Sequence, residues 1–192
     1  MSMLIAGLLL FLGVHSTRIF ADGWRTRQIA RLGPWPWKGL YSLASAIGFV
    51  LIVWGYSMAR NEPGVLWTPS VWMRHAAILL TVPAFILIAA AYVPGSHMKS
   101  MIGHPMIAGV KAWAFAHLLA NGTLASVVLF GAFLVWAVAD FAASRRRDRR
   151  NGTVYPPVSL ARDAIATVIG LAAWTAFAFL AHGWLIGVRP LG

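Results

Sequence analysis

Cysteine is absent from the 192-residue chain, which excludes disulfides, thiolate metal ligation, cysteine nucleophiles and Cys-based zinc or iron–sulfur sites. Carboxylates are nearly as scarce: Asp22, Glu62, Asp140, Asp148 and Asp163 are the complete set. They poorly supply paired-carboxylate hydrolysis or a di-iron carboxylate centre. Any metal chemistry must draw on histidine, carboxylate, methionine or tyrosine. Charged residues make up only 11% of the chain and apolar ones 59%, against roughly 25% charged in an ordinary soluble domain. Such a chain has too little polar surface to face water. The formal charge of +11 would suit nucleic acid, but the cations gather between apolar segments, as in polytopic membrane proteins. Membrane lipid is therefore the expected surrounding, and nucleic acid is not an expected partner.

A helix needs roughly 20 mainly apolar residues to cross a hydrocarbon core of ~30 Å. Residues 3–20 and 39–59 meet that requirement, as do 76–95, with a kink expected at Pro83. The first of these segments lacks a basic stretch before it and carries its cations after it, the order of a retained helix rather than a signal peptide. The run 102–143 is about twice as long as one crossing needs. It contains Asn121-Gly122, a turn-favouring pair, and reads as a helical hairpin. The sixth segment is 161–187. Residues 144–160, containing SRRRDRRNGTVYPPVS, read as a basic and then Pro-rich connector too polar to enter lipid. No internal repeat is evident, and the chain, 1–192, reads as one transmembrane domain. Since every backbone polar group in lipid must bond internally, the expected fold class is all-α, a polytopic bundle of about six transmembrane helices.

The cations set the expected orientation. Arg18, Arg25, Arg27, Arg31 and Lys38 flank the first loop, Lys99 and Lys111 the third, and Arg145, Arg146, Arg147, Arg149, Arg150 and Arg162 lie in the fifth. Only Arg60, Arg74 and Arg189 fall on the other side. The basic loops are expected in the cytoplasm and both termini outside.

Six histidines remain for chemistry. His75 follows Arg74 at a helix end and His97 sits beside Lys99 in a loop; both read as solvated. His15 lies one turn inside Arg18, about 4–5 Å deeper, on a helix otherwise rich in Leu, Ile, Phe, Val and Gly. His117 lies about 9 Å beyond Lys111 by the same count. The two imidazoles are thus expected at comparable depth, and polar side chains at such depth usually face the bundle interior. Neutral imidazole is the common protein ligand of haem iron, and two on different helices can clamp a porphyrin in a bundle. Asn121, one turn beyond His117, is a possible support for that ring, and Arg18 and Lys111 are placed to pair with haem propionates. Trp113, Phe115, Phe11 and Phe20 are available as apolar walls. The same spacing equally suits histidines that only hydrogen-bond a neighbouring helix. His182, about two turns before Arg189, reads as structural or interfacial, or as part of a second site. His104, followed by Pro105, reads as a helix cap or a contact to an anionic group.

The segments LLLFLGVHSTRIF, GHPMIAGVKAWAFAHLLANG and LASVVLFGAFLVWAVADF resemble the NnrU family of bacterial membrane proteins over nearly the whole chain. The resemblance implies a multi-pass protein of the bacterial inner membrane, associated with denitrification and nitric oxide metabolism. The family is similar in turn to the 15-cis-ζ-carotene isomerases, which are membrane haem b enzymes. On that likeness His15 and His117 match the two axial haem histidines. The isomerases carry a cysteine three residues before the second histidine; here that position is Ala114, so a switch to a cysteine ligand is impossible.

Four functions follow as expectations. One is a haem b protein that senses, transfers electrons or handles a small ligand. The second is a haem-dependent isomerase of a carotenoid-like polyene. The third is a non-enzymatic assembly or regulatory partner of a respiratory nitrogen-oxide enzyme. The fourth is a membrane methyltransferase like the isoprenylcysteine carboxyl methyltransferases, although Gly103 stands where their motif has arginine and the later connector has no glutamate.

Overall fold

A computed structural model describes residues 1–62, 64–156 and 159–191. It is helical throughout, with no named strand among the described residues. Helix α1 spans Ser2–Phe20, α2 Asp22–Leu32, α3 Pro34–Ala59, α4 Val71–Tyr92, α5 His97–Ile102, α6 Pro105–Ala120, α7 Leu124–Asn151 and α8 Leu160–Ala176. A π-helical segment, Phe177–Ala181, joins α8 to α9, His182–Ile186.

Five helical runs are long and apolar enough to cross a membrane: α1, α3, α4, α7 and the continuous stretch Leu160–Ile186. The sixth expected crossing, α6, is apolar but only 16 residues long. At 1.5 Å per residue it reaches about 24 Å, short of a full hydrocarbon core. The hairpin turns where Asn121-Gly122 stands, with Thr123 capping α7 through its side chain. The segment before α4 staples this turn: Leu66 N–H donates to the Gly122 carbonyl at 2.7 Å and Leu124 N–H to Gly64 at 2.7 Å.

Two boundaries differ from the sequence reading. The second crossing begins at Pro34 rather than Gly39, because Pro34 and Pro36 fit a first helical turn, where no N–H partner is needed. The connector 144–160 is not a loop from its start: α7 continues through the arginines to Asn151 and ends at Gly152, in a left-handed conformation. Arginine is a good helix former, so the helix runs on past the membrane-sized apolar stretch. Pro157 and Val158 of that connector lie outside the described residues. Helix α2, within the first basic loop, has no buried residue. Pro83 sits inside a continuous α4.

The helices pack in the order α3, α1, α7, α6, α4, α8, each against the next. At the end opposite the basic loops, the Arg60 guanidinium donates to the Ile186 carbonyl, joining the first of this series to the last. Glycines let backbones close up, as small residues do in membrane interfaces. A Cβ on Gly7 of α1 would stand 2.6 Å from the Ile52 nitrogen of α3, and one on Gly109 of α6 2.7 Å from the Ala84 oxygen of α4. The main core gathers Leu4, Leu8, Ile52, Ala59, Ala125, Leu129 and Phe130 where α1, α3 and α7 meet. Outward faces expose Leu9, Val50, Leu79, Val135 and Val168, the apolar surface a bilayer covers.

Candidate functional site

His15 and His117 share one local geometry. The His15 Nδ1–H donates to the Phe11 carbonyl at 2.7 Å, and the His117 Nδ1–H to the Trp113 carbonyl at 2.9 Å. A carbonyl only accepts, so the proton belongs on Nδ1 in both rings and Nε2 keeps its lone pair. This is how a metal-ligating histidine is oriented by an outer hydrogen bond. Both rings lie in aromatic surroundings. His15 stacks on Phe11 at 4.3 Å and meets Tyr41 at 5.2 Å and Trp136 edge-on at 6.0 Å. His117 lies 4.6 Å from Phe130 and 5.0 Å from Trp113. The buried Trp136 indole N–H has no hydrogen-bond partner, a deficiency that buried polar groups seldom show.

Helix α7 stands between the two histidines. Phe133 touches Phe11 at 5.9 Å on one side and Trp113 at 5.5 Å on the other, linking the two aromatic shells. The rings are not at comparable depth, as their spacing from the cations suggested. Trp136, beside His15, and Phe130, beside His117, are separated by about 9 Å along α7. The reason is Lys111, which does not mark the membrane surface: it sits more than a turn inside α6, with its ammonium 3.8 Å over the Phe141 ring. Depth counted from it is therefore displaced.

The other expected site residues take separate places. Asn121 donates from Nδ2 to the His117 backbone carbonyl at 2.9 Å, not to the ring. Arg18 lines a concavity with Ala139, Ala142, Ala143 and Arg146, on the face of α7 away from Phe141 and Lys111. Ala114 is fully buried. His104 begins α6 without capping it through its side chain. Its Nε2 instead lies 2.9 Å from Asp148 near the end of α7, so the anionic group it contacts belongs to this chain. Tyr155 donates to the same carboxylate at 3.2 Å, and Arg145 stands 3.8 Å from it. Partial burial, then the Asp148 charge, push the Tyr155 phenol above its ordinary value and keep it a donor. Sequence reasoning missed this clasp because His104 stands 44 residues before Asp148 and no spacing links them. His97 opens α5, 3.7 Å from Asp163. His182 places its Nδ1 2.6 Å from the Val188 carbonyl, directly after the π-helical segment.

Among the described residues no three His, Asp or Glu side chains gather into a metal site. Each ring is of the donor type that haem iron takes, as one or two imidazoles, with Nδ1 bonded and aromatic side chains around it, and α7 stands between the two. The NnrU protein family matches residues 3–190, and the chain belongs to that family. No curated protein and no solved structure matches it.

Proposed function

We propose that this NnrU-family protein binds haem b inside the membrane, with His15 and His117 as its ligand histidines. The observation that supports the reading is the common state of the two rings, each held through Nδ1 to the carbonyl one turn before it and each left with a free Nε2. Helix spacing alone supplies such a bond, and His182 makes a similar one to the Val188 carbonyl; what sets His15 and His117 apart is that both rings lie among aromatic side chains on either side of α7. Haem b, when bound, supplies a one-electron couple and, at an open axial position, a place for a diatomic ligand. The chain's own part is to orient the rings, exclude water with Phe11, Trp113, Phe130 and Phe133, and offer the unpaired Trp136 N–H beside His15. Lys111, on the helix of His117 toward the basic end, is the cation for a propionate; Arg18, expected to share that role, faces the concavity on the other side of α7 instead. Asn121 fixes the end of α6 that carries His117.

In this reading the protein works in denitrification or nitric oxide metabolism in the bacterial cytoplasmic membrane, beside a respiratory or nitrogen-oxide enzyme; membership of the NnrU family supports it. A polyene isomerase would use the same ligand pair without a thiolate exchange, because Ala114 occupies the place of the cysteine.

The test is an absorption spectrum of the purified protein, oxidised and dithionite-reduced, with a pyridine haemochrome assay. Near-stoichiometric haem b is expected, lost in His15→Ala and in His117→Ala and kept in His97→Ala. Full retention in both ligand variants, or a colourless protein that takes up no added haem, overturns the proposal.

A further inference from the structure

Two concavities on the outer side of the α1/α7 seam form one amphiphilic groove. The apolar part is lined by Ile5, Leu9, Leu12, Gly13, Val128, Gly131 and Val135, among others, and encloses about 590 Å³. The basic part, about 800 Å³, is lined by Arg18, Arg146, Arg147, Arg149 and Arg150 and by one carboxylate, Asp22, which pairs with Arg25 at 3.5 Å. Ile19, Phe20 and Ala139 border both, so the two parts are continuous. Within the basic part Arg147 is committed, donating to the Arg18 carbonyl at 3.1 Å and to the Ser144 hydroxyl at 2.7 Å. Among the described residues, no salt bridge engages Arg18, Arg146, Arg149 or Arg150.

Glycine accounts for the depth of the apolar part. Gly7, Gly48, Gly55, Gly109 and Gly170 lie where a Cβ would strike a neighbouring helix, whereas a Cβ on Gly13 or Gly131 would meet nothing within 4 Å. These two glycines therefore hold open a trough that no protein group fills. Its apolar lining on α7 runs from Val128 to Ala139, roughly 16 Å along the helix. That length is about the hydrocarbon thickness of one leaflet, half of ~30 Å.

We propose that this groove is a binding site for one anionic phospholipid of the leaflet at the basic end, with an acyl chain over Gly13 and Gly131 and its phosphate against Arg18, Arg146 and Arg150. A zwitterionic lipid would fit the trough but leave the arginine cluster without a net countercharge. Free phosphate would meet the arginines but gain nothing from the trough. Neither histidine ring lines the groove, and the two sites meet only at Trp136, which lines the apolar part and stands edge-on 6.0 Å from His15.

The experiment is native mass spectrometry of the full chain released from nanodiscs of equal phosphatidylglycerol and phosphatidylcholine. Alongside it, thermal unfolding in detergent is measured with added phosphatidylglycerol, phosphatidylcholine or inorganic phosphate. One retained phosphatidylglycerol per chain, and stabilisation by that lipid alone, are expected. Arg146→Gln/Arg150→Gln should weaken retention roughly 30-fold, at about a factor of five for each arginine facing an anionic headgroup. Gly13→Leu/Gly131→Leu, which fills the trough without a backbone clash, should also lose the lipid while unfolding at the unliganded wild-type temperature. Equal retention of both lipids, equal retention by all variants, or stabilisation by inorganic phosphate as strong as by the lipid would each overturn the assignment.

Discussion

In the proposed haem site, Phe133 would set the condition on which two histidines share one iron. Its ring lies between Phe11 and Trp113, on the line joining the two aromatic shells, so both imidazoles reach a common partner only when it turns aside. Phe133→Trp should lower the haem held per chain well below the wild-type level, whereas Phe133→Ala should keep it, as read by pyridine haemochrome against protein concentration. Unchanged uptake in both variants would mean that one histidine ligates alone. A second residue-scale prediction concerns the clasp of His104 and Asp148, which fastens the start of α6 to the end of α7. His104→Ala leaves a partly buried carboxylate without its closest partner and should lower stability by about 1–3 kcal/mol, seen as an earlier thermal transition in detergent. Tyr155→Phe, which removes one of the remaining donors to that carboxylate, should have a smaller effect in the same assay.

At the scale of helices, close backbone packing decides which glycines matter. Gly7→Leu drives its side chain into the α3 backbone beside Ile52 and should abolish folded yield, whereas Gly39→Ala, where a Cβ meets nothing within 4 Å, should be tolerated; fluorescence size-exclusion profiles distinguish the two. Such contacts explain what the sequence could and could not reveal. Apolar length located the crossings and the Asn121-Gly122 turn, because lipid thickness and turn chemistry act locally. It could not pair α1 with α3, since a Gly in an apolar run looks the same whether it meets a backbone or an open trough. Cation positions found the basic end, yet they misjudged depth at Lys111, whose ammonium rests on Phe141 rather than at the surface. The candidate histidines were legible because polar groups are rare in these helices. Their hydrogen bonds to Phe11 and Trp113 follow from helix spacing, but the intervening Phe133 depends on how three helices meet.

For the whole molecule, the cations collect at one end: Arg18 and Arg147 meet there, as do Arg145 and Asp148, while Arg60 joins Ile186 at the other. By the positive-inside rule the basic end is expected in the cytoplasm. The absence of native cysteine makes this directly measurable. A membrane-impermeant maleimide applied to intact cells should label Ser70→Cys and spare Thr153→Cys, both exposed positions at opposite ends; the reverse pattern would invert the topology.

The packing order also dictates a timetable for biogenesis. Helices α1 and α3 are made first and already hold each other through Gly7, Gly48 and Gly55, so they can leave the translocon as a pair. Helix α4 finds its neighbours, α6 and α8, only later, and α7 must return to α1 across more than a hundred residues of chain. Until α7 is synthesised, the surface of α1 that it will cover faces lipid. The newborn protein therefore spends that interval as separate helix groups, and insertion of α7 is the event that joins the N-terminal pair to the rest.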